Sequence, residues 1–194
     1  KNKKYYFQDK KNSIPIKNKN IFSRGLINNI GMAIKIALDL GIKKKIILKA
    51  IPKLSFKGRI QYIKSGRLKK KLNIGEKLLI DGCHSDISGK NLSNYLRALN
   101  NSKYGIWSMM KNKDPSSFIR KFKGIFNLIY TIPIQNEINS ESPQTLAKIA
   151  SRYSIKAIPS KSFDAALKKI SSKEKKIICA FGSLYQCGNI LNKN

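Results

Sequence analysis

A chain of 194 residues, 41% of them hydrophobic, is long enough to bury a proper core and reads as globular. Its 40 Lys and Arg against 10 Asp and Glu leave a formal net charge of +30, a field that favours anionic partners. No apolar run reaches the length of a membrane span, the lysine-rich start lacks the apolar stretch of a secretion signal, and one histidine with scattered acids makes no credible zinc site.

The charge does not by itself name a polyanionic partner. The cations are nearly all lysines spread along the chain, and Lys, Asn and Ile are abundant together, as A/T-rich codons would produce. Few aromatics interleave with the lysine runs apart from Lys3-Lys4-Tyr5-Tyr6-Phe7, so base stacking has little support. A basic nucleic-acid-binding module, its affinity falling steeply with salt, is the competing class. Cys83, Cys179 and Cys187 form no CxxC pair and leave one thiol over in any disulfide scheme, which suits a reducing, cytoplasmic setting. The chain opens on Lys1 and not on Met, and the expectation is a piece of a longer protein.

In chain order, Lys4-Tyr5-Tyr6-Phe7-Gln8 reads as a strand, followed by a polar connection through Pro15 as far as Asn20. From Ser23, Leu26, Ile27, Ile30, Ala33, Ile34, Ala37 and Leu38 recur at helical spacing until Gly41, with Asn29 near the start. A second amphipathic helix spans Lys43 to Ala50, before Pro52. Ile60–Lys64 and Arg67–Leu72 look like two strands joined by a Ser65-Gly66 hairpin turn.

From Leu78 the pattern alternates. Strand Leu78–Ile80 leads to a helix carrying Leu92, Leu96 and Leu99, and strand Tyr104–Met109 to a helix opening at Asp114-Pro115. Strand Ile125–Ile132 leads to helices at Pro143–Tyr153 and Phe163–Ile170, then strand Lys176–Phe181 to a last helix from Ser183 to Leu191. Such alternation predicts a mostly parallel, Rossmann-like α/β sheet with helices on both faces. In that architecture ligands bind outside the carboxyl ends of the strands. There stand Asp81-Gly82-Cys83-His84, Lys113-Asp114 and Gly182-Ser183-Leu184-Tyr185. Asp81 can accept from hydroxyls, and His84 can donate or accept near neutral pH. Cys83 beside His84 raises the option of a thiol nucleophile, and Asp114 ahead of Pro115 reads first as a helix cap. Arg59 follows Gly58 directly, an arrangement that lets a guanidinium reach a phosphate. No Gly-x-x-x-x-Gly-Lys-Ser/Thr occurs anywhere in the chain.

Taken in order, Gly58-Arg59-Ile60-Gln61, Asp81-Gly82-Cys83-His84, Lys113-Asp114-Pro115 and Gly182-Ser183-Leu184-Tyr185 resemble the carboxy-terminal part of bacterial bifunctional folylpolyglutamate synthase/dihydrofolate synthase, of the Mur-ligase superfamily. Arg24 to Ala37 also resembles the family segment that closes the preceding domain. The resemblance implies an ATP-dependent ligase that adds L-glutamate to dihydropteroate or to folate polyglutamates through an acyl phosphate, acting as a cytoplasmic monomer.

By the same resemblance, Asn29 matches the asparagine near adenine, Arg59 the arginine that reaches the ATP phosphates, Asp81 the acid that holds the ribose, and His84 the histidine near the incoming glutamate. Lys113 and Asp114 match positions that shape the crevice. Residues 1–57 correspond to the end of a central ATP-binding domain and residues 58–194 to the carboxy-terminal domain. The P-loop and the Mg2+ ligands are expected upstream of Lys1, so the chain alone is expected to be inactive. The sequence departs from the family at Gly25-Leu26, Phe56-Lys57 and Ser85-Asp86, the last replacing an Asn-Pro that follows the histidine. A non-catalytic remnant of the ligase is therefore a further alternative.

Overall fold

Along β8 (Lys176–Phe181) successive side chains point to opposite sides of a sheet, and every residue of that strand is buried, so each side needs its own helical layer. The computed structural model describes residues 4–18 and 23–194 and resolves into two units, Lys1–Lys57 and Gly58–Asn194. No helix among the described residues is long and apolar enough to cross a membrane.

In the first unit β1 (Tyr6–Gln8) pairs antiparallel with β2 (Ser13–Pro15), Phe7 opposite Ile14. Part of the segment expected to be a polar connection is thus a strand. The turn is made by Asp9, whose Oδ1 accepts the Lys11 and Asn12 N–H groups at 2.8 and 2.7 Å. The end of that connection, residues 19–22, lies outside the described residues. Helix α1 (Arg24–Asp39) is capped by the Ser23 hydroxyl, which accepts from the Leu26 N–H. Helix α2 (Lys44–Ala50) runs into a short 3-10 turn over Ile51–Lys53. Ile14, Ile16, Ile30, Ile34, Ile47 and Ile51 form the core of this unit.

The second unit carries β3 (Gln61–Tyr62), β4 (Glu76–Asp81), β5 (Ser102–Trp107), β6 (Leu128–Thr131), β7 (Ala157–Pro159) and β8 in one sheet of order β3-β4-β8-β5-β6-β7. Only β3 is antiparallel to its neighbour. On one face Leu79, Ile129, Ile177, Cys179 and Phe181 pack with Leu92 and Leu96 of α4 (Asp86–Arg97), Phe118 and Ile119 of α5 (Pro115–Ile119), and Leu146 and Ile149 of α6 (Pro143–Ser151). On the other, Leu78, Ile80, Ile106, Ile178 and Ala180 meet Leu68 of α3 (Gly66–Lys70), Phe163, Ala166 and Ile170 of α7 (Phe163–Ile170), and Cys187 and Ile190 of α8 (Leu184–Asn192). This is the doubly wound arrangement expected from the alternating pattern.

The segment from Arg67 corrects an expectation. It is helix α3 and not the second strand of a hairpin, and β3 pairs with β4 instead. Leu68 is fully buried and Leu72, four residues on, packs against the same core, which is helical spacing.

The amino-terminal edge of the sheet is locked by a buried ion pair. Glu76 and Lys176, the first residues of the adjacent strands β4 and β8, are 1% and 2% exposed, with Nζ 3.7 Å from Oε1. Glu76 also accepts the Asn73 N–H at 2.9 Å, the Ser172 N–H at 2.8 Å and the Ser171 hydroxyl at 3.2 Å. Lys176 donates to the Ile170 carbonyl at 2.9 Å and stands over the Tyr104 ring. Removing one partner leaves the other charge buried and uncompensated. Lys176→Met is expected to destabilise the fold by about 3–5 kcal/mol in urea unfolding, and the double variant Glu76→Gln/Lys176→Met by clearly less than the sum of the single changes.

Candidate functional site

Strands β4 and β8 lie side by side in parallel and end level, Asp81 beside Phe181. From these ends the chain leaves in opposite senses, through Gly82 to α4 on one face of the sheet and through Gly182 to α8 on the other. That divergence opens a crevice at the carboxyl edge, the place where open α/β sheets bind ligands. The two exits are tightly built. Gly182 has φ +105°, and a Cβ there would stand 2.1 Å from the Ser108 carbonyl oxygen.

Asp81 is 5% exposed, and both its oxygens are engaged. Oδ2 accepts the Ile60 N–H at 2.7 Å, and Oδ1 accepts the Cys83 N–H at 2.8 Å. Burial raises the carboxyl pKa above the ordinary 3.8, opposed by those two N–H groups, by the Cys83 thiol and by the positive charge of Arg59. Asp81 therefore joins the end of β4 to the loop around Ile60, while each oxygen keeps lone-pair capacity for a further donor.

Arg59 sits in that loop, half-buried, between Gly58 and Ile60. The Gly82 N–H donates to the Gly58 carbonyl at 2.7 Å, so the loop and the end of β4 are tied twice. Among the described residues no hydrogen bond or ion pair engages the Arg59 guanidinium. Its charge nevertheless acts on the Asp81 carboxyl and on the Cys187 thiol.

His84 is half-buried at the mouth of the crevice. Its Nδ1 lies 2.8 Å from the Gly82 carbonyl, which can only accept. Nδ1 therefore carries a proton, and in the neutral ring Nε2 is the acceptor. The loop after it is ordered by hydroxyls. Ser88 Oγ accepts the His84 N–H at 3.1 Å and the Ser85 N–H at 3.0 Å, while Ser85 caps α4 by accepting from Ser88. This reciprocal cap orders the loop, and the Ser85-x-x-Ser88 spacing is its sequence signal.

Arg59, Asp81 and His84 are thus brought to one sheet edge by backbone links. Asn29 is exposed on α1 of the first unit. Lys113 is exposed, and Asp114 caps α5 by accepting the Ser116 and Ser117 N–H groups. Cys83 is 1% exposed, and burial pushes its thiol well above the usual range, as it does for Cys179. A thiol held protonated in the core is not built as a nucleophile. Cys187, also raised by burial, reaches about 12. Ile60 and Gln61 belong to the motif Gly58-Arg59-Ile60-Gln61 but carry no role in sequence; the backbone of the one and the side chain of the other form the turn around Arg59.

No protein-family model matches this sequence, and no curated protein matches it significantly. Solved structures do match. The chain superposes over 92% of its length on Mycobacterium tuberculosis folylpolyglutamate synthase complexed with ADP, with a TM-score of 0.77 and 14% identity, spanning 42% of that chain. For Escherichia coli FolC in complex with DHPP and ADP the figures are 99% of this chain, 44% of that one, a TM-score of 0.77 and 14% identity. A bifunctional folylpolyglutamate synthase/dihydrofolate synthase with Mn, AMPPNP and L-glutamate bound matches over 96% of this chain and 43% of its own, at a TM-score of 0.75 and 14% identity. This chain therefore spans less than half the length of these molecules. The likeness establishes the fold, which is that of the carboxy-terminal portion of the folylpolyglutamate synthases.

Proposed function

We propose that the chain is the carboxy-terminal part of an ATP-dependent ligase that joins the amino group of L-glutamate to the carboxylate of dihydropteroate or of a folate polyglutamate. The observation that carries this reading is that a backbone hydrogen bond from the loop of an uncommitted arginine to a buried carboxylate brings both to the carboxyl edge of a sheet whose fold is shared with folylpolyglutamate synthases. Solved structures with this fold are bound to ADP, to DHPP, or to AMPPNP and L-glutamate, which supports the choice of ligands.

In this reading ATP phosphorylates the acceptor carboxylate, and the glutamate amine then displaces phosphate from the acyl phosphate. Arg59 contributes a planar cation that can bind phosphoryl oxygens in bidentate fashion and neutralise the charge that develops on transfer. Asp81, already accepting two N–H groups, takes the ribose hydroxyls on its remaining lone pairs. Asn29 offers an amide to the adenine edge. His84, with Nδ1 committed to Gly82, presents Nε2 toward the incoming glutamate. By the same resemblance, the Mg2+ ligands belong to other parts of the ligase. The first unit is then the end of the central ATP-binding domain, and the P-loop is supplied by a further segment of the same polypeptide, in a complete enzyme that acts as a cytoplasmic monomer.

In the ligase completed with a P-loop domain, Arg59→Ala is expected to lower kcat/KM for ATP by about 10²–10³-fold, the range seen when one charge-stabilising donor is lost. Unchanged steady-state kinetics would remove Arg59 from the nucleotide site. The chain assayed alone is expected to release no phosphate from ATP.

Asp81 also carries a signature in stability. Its carboxyl is raised in the folded state, so between 3.8 and the folded value the unfolded chain ionises first and stability falls as pH rises. Asp81→Asn removes that fall. In urea titrations from pH 3 to pH 7 the stability of wild type relative to the variant is expected to decline with rising pH, and a constant difference would contradict the raised carboxyl.

A further inference from the structure

The turn Gly58–Gln61 is strained at Ile60. Ile60 has φ +45°, the left-handed region that β-branched side chains rarely adopt, and it is 3% exposed. Gly58, at φ +68°, approaches α8 so closely that a Cβ would stand 3.1 Å from Cys187 Cβ. Conformations of this kind persist only where the surroundings over-determine them, and they cluster where a functional group has to be aimed.

The surroundings here are three hydrogen bonds of 2.7 Å each. The Ile60 N–H donates to Asp81, the Gly82 N–H donates to the Gly58 carbonyl, and the Gly58 N–H donates to Oε1 of Gln61. The first two fix the turn to the end of β4. The third comes from within the turn, and the residue that makes it is itself locked in the sheet, Gln61 pairing with Ile80. Gln61 thus links the register of β3 on β4 to the amide of Gly58, the residue before Arg59. Both neighbours of Arg59 are held by these bonds, while its own guanidinium stays unengaged among the described residues.

We propose that Gln61 is the positioning residue for Arg59: by accepting the Gly58 N–H it holds the strained turn in the one conformation that presents the guanidinium to an anionic ligand at the carboxyl edge. The anion being ATP phosphate rests on the proposed ligase reading, whereas the constraint on the turn does not. Gln61 does not touch the reacting atoms, and its effect passes through Arg59.

Two measurements test this. Gln61→Met keeps the length of the side chain and removes the acceptor, and Gln61→Ala serves where the longer side chain prevents folding. In the chain itself, the Gly58 amide of either variant is expected to exchange with solvent at least tenfold faster than in wild type, with amides in the middle of β8 unchanged. Unchanged Gly58 exchange overturns the proposal.

In the completed ligase, Gln61→Met is expected to lower kcat/KM for ATP at least tenfold when Arg59 is present. It should have no further effect on an Arg59→Ala background, because a residue acting through Arg59 has nothing left to position. An equal loss on both backgrounds also overturns the proposal, since Gln61 would then act by another route. If Arg59→Ala alone leaves ATP kinetics intact, Arg59 is not at the nucleotide site of the ligase, and Gly58 exchange still decides the role of Gln61 in the turn.

Discussion

Two backbone N–H groups, from Ile60 and Cys83, converge on the carboxylate of Asp81, and the whole carboxyl edge of the sheet hangs on that convergence. The carboxylate joins a loop that precedes β4 by many residues to the turn that follows it. Arg59 and His84 come to one edge because of it, the first through Ile60, the second through Gly82, whose carbonyl anchors the imidazole. A buried carboxylate costs free energy unless donors meet it. Here the donors are backbone groups that would otherwise be unpaired in a tight turn, so each side relieves the other.

Strand β4 carries a buried acid at each end, and the two ends are handled differently. Glu76 at the start meets a cation, Lys176, together with the Asn73 and Ser172 N–H groups and the Ser171 hydroxyl, and the cluster is closed on all sides. Among the described residues Asp81 at the end has no direct cationic partner, only the field of a nearby arginine that remains unengaged there. The first arrangement fixes the register of β4 against β8. The second leaves charge in reserve at the edge where the proposed chemistry takes place.

Much of this was legible in the residues. The apolar run at Leu78–Ile80, the alternation after it and the caps at Ser23 and Asp114 each carry a local signal that the fold obeys. The failures have physical causes. Ser65-Gly66 has the composition of a hairpin turn, but Ser65 stands at the N-cap of α3 with Gly66 at φ +87°, and only the i, i+4 pair Leu68 and Leu72 reveals the helix. β7 is a three-residue strand ending in Pro159, tolerable because it lies at the sheet margin, and so short a piece has no periodicity to read. The bond from Ile60 to Asp81 could not be seen at all, because it depends on how β3 registers with β4 and not on either residue's neighbours. The side chains of a motif are thus easier to list from sequence than the backbone that aims them.

The three thiols have a practical consequence. Cys83, Cys179 and Cys187 are all buried, and burial raises the pKa of each. At neutral pH almost none of them is thiolate, so maleimides and iodoacetamide find no ready target in the native fold. A cysteine introduced on an exposed side chain such as Tyr185, 62% accessible at the rim of the crevice, would react alone. The molecule accepts a fluorophore or spin label at a chosen site without removal of its own sulfur, and its carboxyl edge can be watched directly as ligands are added.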